Sequence, residues 1–542
     1  MTVRCRPGRD KPGRDKPGRA GAGGRARAAA CPRRPPRPRV APTLWPARRR
    51  GTGPLSIGDA LFDFRPPLYV FALCLIAIGA FELLPALVDW GQGHADAPVY
   101  LASAAVAVFV GGALAFTTYQ RKVTLGLRQA FLLTPLCWFG LPVFAGLPFM
   151  FTTTDLSFTD AYFETVSGFT TTGSTVIVGL DSLPGGILLW RGILQWLGGV
   201  GFIVMAIAIL PFLKVGGMQI LRTESSDRSE KILPRASQIA GAIALVYLVL
   251  TLLSMVGFLL TGMTLLEAVV HAMTSLSTGG YSTSDSSLGR FGPGAQWVAV
   301  VSMILGALPF VLIVRAWQGD QRALWGDSQV RVFLLFLAAV ILPFALWLWA
   351  GGVYHDFEAA LRHVAVNVVS VVTTTGFAST DYQLWGTAVL PVFLFLTLVG
   401  GCTGSTAGGV KIFRWEILVG QAHRQVRQAI NPHRVLARRY NGKPLPADVP
   451  ASVGVFLFLY LGLLFLFTVA LAATGLDFIT ALSGAATAIS NVGPGLGPMI
   501  GPAGNFVGLN DTAKWLCSAA MVLGRLELLT VMVLFDWRFW KR

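Results

Sequence analysis

Four short stretches rich in threonine, serine and glycine decide the fold of this 542-residue chain. They read Thr170-Thr171-Thr172-Gly173-Ser174, Ser277-Thr278-Gly279-Gly280-Tyr281, Thr373-Thr374-Thr375-Gly376-Phe377 and Ser490-Asn491-Val492-Gly493-Pro494. Each follows a short amphipathic segment and precedes a long apolar one, and the central glycines at 173, 279, 376 and 493 lie 106, 97 and 117 residues apart. These residue types are common in any turn, but four such turns at equivalent places predict four repeated units.

The sequence around the turns is apolar enough for a membrane protein. Hydrophobic residues make up 54% of the chain and charged residues only 13%, against about 25% charged residues in soluble proteins. A membrane-spanning helix needs about 20 apolar residues, and many stretches meet that length. We predict an all-α polytopic membrane protein with ten spanning and four short helices: a leading pair over 60–120 and four pore units around one pore, over 129–213, 237–317, 328–414 and 450–536.

Basic residues indicate the orientation of the chain in the membrane. Clusters of lysine and arginine follow the second leading helix and each of the four units, and they share one side if each long helix spans once. The positive-inside rule makes that side cytoplasmic, which predicts a multi-pass membrane protein with cytoplasmic N- and C-termini. The basic cytoplasmic linker over 415–449 is compatible with docking of a regulatory partner and equally with ordinary positive-inside charge.

Most of the net charge of +17 lies in an N-terminal arm. Residues 1–50 hold 16 Lys/Arg and 2 Asp/Glu, so they contribute +14. A Pro/Gly/Arg-rich segment of this kind cannot bury a core, and residues 1–55 are therefore predicted to be a disordered arm. The arm either binds anionic lipid or nucleic acid or is a functionless extension, and we favour the extension. Because the rest of the chain is nearly neutral, we expect membrane lipids, and no nucleic acid, as partners.

The turns have the chemistry of a cation pathway. Irregular backbone at membrane depth is tolerated only inside protein or along an aqueous path, and rings of carbonyl oxygens can replace the water shell of a cation. The absence of carboxylates from the turns disfavours a divalent site, whereas oxygens alone do not distinguish potassium from sodium. The predicted filter residues are Thr171, Thr172, Gly173, Ser277, Thr278, Gly279, Thr374, Thr375, Gly376, Asn491, Val492 and Gly493.

Three longer motifs accompany the turns: WRGILQWLGGVG at 190–201, GGCTGSTAGGVK at 400–411 and LGRLE at 523–527. With these motifs and the turns, residues 60–542 resemble the TrkH branch of the Trk/Ktr/HKT superfamily of cation transporters. The resemblance implies that potassium is the transported ion, bound at the filter residues, and that the chain carries no organic cofactor. It also implies a location in the bacterial inner membrane, a homodimer and a cytosolic nucleotide-binding regulatory subunit of the TrkA type.

The glycine-rich motif of the third unit allows two interpretations. Five glycines within ten residues weaken a helix, since each costs about 1 kcal/mol relative to alanine. The segment is either a gating loop below the filter or a helix that packs closely through Gly400, Gly404 and Gly408. The resemblance favours the gate, whose predicted residues are Gly400, Gly401, Thr403, Gly404, Ser405, Gly408, Gly409 and Lys411.

Two arginines lie in apolar segments. An arginine at mid-bilayer costs about 2.5–3.5 kcal/mol, so Arg525 in the last long helix must face a partner or water. It either lines the pore and repels cations, which the resemblance favours, or forms a structural ion pair, for example with Glu527. Arg191 is expected near a helix end, either snorkelling towards the surface or paired.

Two alternative functions remain at this point. The first is a sodium-selective, or sodium- or proton-coupled, cation transporter of the same superfamily. The second is a membrane-embedded enzyme, although the chain has no His-Glu-x-x-His or Gly-x-Ser-x-Gly motif and its six cysteines are scattered. His271 and His363 are expected to be packed or vestibule residues rather than metal ligands, because no second ligand pattern accompanies them.

Overall fold

The computed structural model describes residues 62–121, 125–208, 232–433, 436, 439–446 and 448–540. The predicted disordered arm over 1–55 lies outside these residues. So does most of the basic stretch that follows the first unit, over 209–231.

The leading pair forms a tight helical hairpin. Helix α1 spans Arg65–Gln92 and ends at Gly93 in the left-handed conformation (φ 71°), and α2 spans Ala97–Thr118. The two helices approach closely at small residues: a Cβ atom on Gly79 would lie 2.9 Å from the Ala104 carbonyl oxygen. Packing through small residues is typical of helices within membranes.

The first two units each contain a short helix between longer ones. Unit 1 comprises α3 (Leu127–Ala145), α4 (Leu147–Phe151), α5 (Phe158–Phe169), a 3₁₀ turn (Leu180–Ser182) and α6 (Gly185–Ala208). Unit 2 comprises α7 (Ile232–Leu260), α8 (Leu265–Leu276), a 3₁₀ turn (Ser287–Arg290), α9 (Pro293–Ala307) and α10 (Phe310–Trp317). The short helix α11 (Gln321–Gly326) leads into the third unit.

The last two units repeat this arrangement. Unit 3 comprises α12 (Ser328–Ala350), α13 (Phe357–Val372), a 3₁₀ turn (Tyr382–Trp385), α14 (Val389–Leu398) and α15 (Ile412–Ile430). A small antiparallel hairpin of β1 (Arg439–Tyr440) and β2 (Lys443–Pro444) follows, with Arg439 opposite Pro444. Unit 4 comprises α16 (Asp448–Ala473), α17 (Phe478–Ser490), α18 (Asp511–Arg525), α19 (Leu529–Met532), a 3₁₀ turn (Val533–Phe535) and α20 (Trp537–Trp540).

The predicted all-α polytopic architecture is confirmed, but several of the long apolar segments are not single continuous helices. Among the described residues, seven helices are long and apolar enough to cross a membrane, and the pair α9–α10, bent by 99°, would make an eighth span. Helix α9 stops because Leu308 precedes a proline and adopts an extended backbone (ψ 156°), as residues before proline tend to do. In unit 3 the glycine-rich motif separates α14 from α15, and in unit 4 α18 ends before the left-handed residues Glu527 and Leu528.

The four short helices α5, α8, α13 and α17, which we call the pore helices, lie in the interior. Phe163, Ala272, Val368 and Ala485, one from each, are fully buried. Three of the four begin at a residue whose side-chain oxygen accepts a backbone N–H of the first turn: Ser157, Thr264 and Asp477. Such caps fix where a helix starts. By fixing the start of these three helices, the caps also help to position the turns that follow them.

Candidate functional site: a ring of four turns

The turns after the pore helices share one backbone conformation. In each, a left-handed residue is followed by a residue whose N–H donates to the carbonyl oxygen five positions earlier, at 2.7–3.0 Å. The left-handed residues are Thr171 (φ 53°), Thr278 (φ 52°), Thr374 (φ 59°) and Asn491 (φ 58°). The donors are Thr172, Gly279, Thr375 and Val492. Left-handed backbone is uncommon for residues other than glycine, so its recurrence at four places identifies equivalent positions.

These positions correct the predicted alignment of the second turn. The residue after each donor is a glycine with positive φ: Gly173 (85°), Gly280 (79°), Gly376 (90°) and Gly493 (111°). Gly280, not Gly279, is therefore the counterpart of Gly173. The predicted filter set was one residue out of register in this turn, since it included Ser277, the counterpart of Thr170, and omitted Gly280.

The four turns close into a ring. A Cβ atom added to the positive-φ glycine of one turn would crowd a carbonyl oxygen of the next turn along the chain. The pairs of glycine and carbonyl are Gly173 with Gly279, Gly280 with Thr375, Gly376 with Val492, and Gly493 with Thr172. The last pair joins unit 4 back to unit 1. We call the carbonyl oxygens of Thr172, Gly279, Thr375 and Val492 the ring oxygens.

Side chains reinforce the junction between the fourth and first units. The Ser174 hydroxyl donates to the Gly493 carbonyl oxygen at 2.9 Å. Asn491 Nδ2 donates to Thr172 Oγ1 at 3.0 Å. On the pore helix, Asp160 pairs with Lys514 of α18 at 2.6 Å. The ring is thus closed by hydrogen bonds and an ion pair between segments far apart in sequence.

Each pore helix also holds the chain that leaves its turn. Seven residues before the left-handed position, units 1 to 3 carry Glu164, His271 and Asn367, whose side chains bond to Val176, Ser282 and Ser379 at 2.9–3.1 Å. Unit 4 uses the neighbouring position, where Ser483 Oγ accepts the N–H of Leu496 at 2.9 Å. This role was not predicted from the sequence, although the seven-residue spacing to the turns recurs in units 1 to 3. The prediction that His271 is a packed residue agrees with its complete burial.

Arg191 joins the first and second turns. Its Nε contacts Glu164 Oε1 at 2.9 Å, and its two terminal nitrogens donate to Thr175 Oγ1 and the Ser282 carbonyl oxygen, each at 3.0 Å. The guanidinium lies 4.0 Å from the centre of the Tyr281 ring. Of the two arrangements expected for Arg191, pairing is present and snorkelling is not, because the side chain is 1% exposed.

The glycine-rich motif forms an irregular loop rather than a helix. Val399 and Val410, at its two ends, form an isolated bridge, and the loop between them has no helical residues. The alternative of close helix packing through Gly400, Gly404 and Gly408 is therefore wrong. All eight predicted gating residues lie in or directly after this loop, which we call the glycine loop (residues 399–410).

The glycine loop contacts the ends of the pore helices. Thr406 Oγ1 donates to the carbonyl oxygens of Leu276 at 3.0 Å and Gly306 at 2.8 Å. The N–H of Gly408 donates to Thr374 Oγ1 at 2.6 Å. Thr278 Oγ1 lies 3.1 Å from Thr406 Oγ1. The loop is consequently tied to the left-handed residues of the second and third turns.

Two buried cationic side chains lie beside the glycine loop. Arg525 donates from Nη1 to the Thr406 carbonyl oxygen at 2.9 Å, and its guanidinium lies 4.1 Å from the centre of the Phe202 ring. Lys411 donates from Nζ to the Ala407 carbonyl oxygen. Glu527 pairs with Arg414, so the alternative of an Arg525–Glu527 ion pair is wrong.

The loops between turn and long helix carry acidic groups. Asp285 accepts the N–H of Gly179 at 2.9 Å, and Asp181 accepts from Ser284 Oγ at 3.2 Å and pairs with Arg290. Desolvation opposes ionisation of Asp181, but these bonds outweigh it and lower the pKa of its carboxyl. Within the described part of the chain, no group of three or more His, Cys, Asp or Glu side chains could hold a metal ion.

Comparison with known proteins identifies the family. A family model described as TrkH, cation transport protein, matches residues 97–540. The Trk system potassium uptake protein TrkI of Halomonas elongata is 46% identical over 488 residues, which cover 90% of this chain and 99% of that protein. The Trk system potassium uptake protein TrkH of Escherichia coli K12 is 34% identical, with 88% and 99% covered.

A solved structure has the same fold. The crystal structure of the potassium transporter TrkH from Vibrio parahaemolyticus superposes with a TM-score of 0.81 at 33% sequence identity, covering 89% of this chain and 100% of that one. These relatives are transport proteins, and the membrane-enzyme alternative is set aside. A family match over most of the chain, the shared structure and the ring of four turns together establish that this chain belongs to the TrkH family of cation transport proteins.

Proposed function

We propose that this chain is the potassium-translocating subunit of a Trk-type uptake system, and that potassium passes through the ring of four turns. The observation that carries the proposal is the closure of the ring, in which each positive-φ glycine lies against a ring oxygen of the next unit. Carbonyl oxygens around an axis can replace the water shell of a monovalent cation. The relatives named as potassium uptake proteins support potassium as that cation.

The filter comprises the ring and the turn residues next to it. These are the predicted filter residues, with Gly280 in place of Ser277. Uptake needs no organic cofactor, since one elementary charge moving inward through 100 mV releases about 2.3 kcal/mol. The membrane potential alone can therefore drive accumulation.

The glycine loop acts as the gate. It is anchored to Thr374 and to the end of the second pore helix by hydrogen bonds of 2.6–3.0 Å. Displacement of the loop would therefore break these bonds and alter the position of the filter residues. Arg525 and Lys411 add positive charge beside the loop. Repulsion by these side chains opposes passage of a cation until the loop moves.

The chain works as a homodimer in the bacterial inner membrane with both termini in the cytoplasm. A nucleotide-binding regulatory subunit of the TrkA type docks on the cytoplasmic linker over 415–449. The basic composition of this linker supports the orientation, and exposed apolar side chains on α15, among them Val419, Val426 and Ile430, offer contact area to a partner.

Two measurements test this function. Expression in a bacterium that lacks its own potassium uptake should restore growth at low potassium, and purified protein in proteoliposomes should pass potassium and rubidium in preference to sodium. Preference for sodium would instead support the sodium-selective alternative. Dependence of potassium uptake on a sodium or proton gradient would support the coupled alternative.

A further inference from the structure

A buried glutamine lies against the second turn of the ring. Gln195 of α6 is fully buried. Its Nε2 donates to the Gly279 carbonyl, a ring oxygen, at 2.6 Å, and its Oε1 accepts the N–H of Tyr281 at 3.0 Å. Because a backbone N–H needs an acceptor and a carbonyl needs a donor, the two bonds fix the orientation of the carboxamide.

The position of Gln195 is polar only in the first of three comparable helices. Helices α6, α9 and α18 each bring a glycine against the end of the pore helix of their own unit: Gly198 against Phe169, Gly306 against Leu276, and Gly524 against Ile489. Three residues before these glycines, the helices carry Gln195, Met303 and Met521. Both methionines are completely buried, so an apolar side chain of similar length fits this place in the fold.

Gln195 also explains why position 279 is a glycine. The equivalent residues in the other turns are Thr172, Thr375 and Val492. A Cβ atom on Gly279 would collide with the Gln195 carboxamide. A side chain at position 279 is therefore compatible only with a different residue at position 195.

We propose that Gln195 is a specificity-determining residue of the filter, acting by positioning the Gly279 carbonyl oxygen; the inference rests on the proposed function. The hydrogen bond at 2.6 Å restrains the position of this oxygen and engages one of its lone pairs. An oxygen held in this way cannot follow a smaller ion inwards. The ring then disfavours sodium, which needs shorter contacts, relative to potassium.

The experiment compares potassium and sodium flux through purified protein in proteoliposomes. Gln195→Met introduces the residue that α9 and α18 carry at the equivalent position, and Met303→Leu is the control at that position. We expect Gln195→Met to lower the potassium-to-sodium flux ratio about tenfold, equivalent to about 1.4 kcal/mol, and Met303→Leu to leave the ratio unchanged. A merely structural role for Gln195 would lower both fluxes and leave their ratio intact.

A second variant tests the same proposal if Gln195→Met does not fold. Gln195→Asn keeps the polar group but shortens it by one methylene, so that it cannot span both backbone partners, and it should also lower the ratio. Folded variants that keep the wild-type ratio would overturn the role of Gln195. A wild-type protein that passes no potassium would instead refute the proposed function, so the two failures are distinguishable.

Discussion

The hydroxyl group of Thr406 provides a sharp test of the proposed gate. It donates to the carbonyl oxygens of Leu276 and Gly306 at 3.0 and 2.8 Å and lies 3.1 Å from Thr278 Oγ1. Valine has nearly the same shape without the hydroxyl. Thr406→Val therefore removes the polar attachment of the glycine loop to the second pore helix while keeping the packing.

The size of the effect follows from these contacts. Removing one partner of a buried hydrogen bond costs about 1–3 kcal/mol. If the observed arrangement is the closed gate, the variant destabilises that state relative to the open one by this amount. Since each 1.4 kcal/mol corresponds to a factor of ten, the closed-to-open ratio should fall by about 5- to 150-fold.

The assay is potassium flux into proteoliposomes that contain the chain without a regulatory subunit. Thr406→Val should raise this flux, because a larger fraction of the molecules is open. Thr403→Val is a matched control in the same loop, since the Thr403 hydroxyl is buried with no side-chain hydrogen bond to the described residues. Folded Thr406→Val protein with wild-type flux, or an equal rise for Thr403→Val, would refute the reasoning.

Three further predictions concern the ring and the charges around it. Arg525→Ala should raise cation flux without unfolding the protein, because a positive charge beside the glycine loop is removed, and unchanged flux in proteoliposomes would exclude Arg525 from the gate. Gly376→Ala should abolish flux, whereas Gly262→Ala, with the same φ of 90° but open space around it, should cost only about 1 kcal/mol of backbone strain; equal effects on flux would contradict crowding in the ring. Arg191→Leu should destabilise the protein by about 3–5 kcal/mol, because Glu164 is left buried and unpaired, and thermal unfolding in detergent should show that the double variant with Glu164→Leu recovers part of the loss.

The general architecture was predictable because its signals are local. Glycine with threonine or serine at the four turns, apolar flanks and basic loops can all be recognised from neighbouring residues. The break at the glycine loop was also predictable, since five glycines in ten residues weaken any helix. The break between α9 and α10 depends on the single Pro309. It was not predicted, because the long apolar stretch around this proline favoured one continuous spanning helix.

The details of the site depended on contacts between distant residues. Two consecutive glycines in the second turn left its register undetermined, and the backbone conformation distinguishes them, because Gly280 has a positive φ (79°) and Gly279 does not. Likewise, Arg191 has its partner Glu164 27 residues earlier, on another helix. Arg414, which pairs with Glu527 in place of Arg525, lies 113 residues away. A sequence alone offers several candidates for such pairs and no distance by which to choose.

The closure of the ring within one polypeptide has a consequence for how this filter can vary. In a channel made of four identical subunits, every substitution is made fourfold, and a change tolerated once can be fatal in four copies. Here Asn491 can bond to Thr172 and Gly279 can make room for Gln195 while the third quadrant keeps its own side chains. Substitutions can thus be confined to one quadrant or to a pair of contacting quadrants, and ion preference can shift in small increments rather than by all-or-none steps.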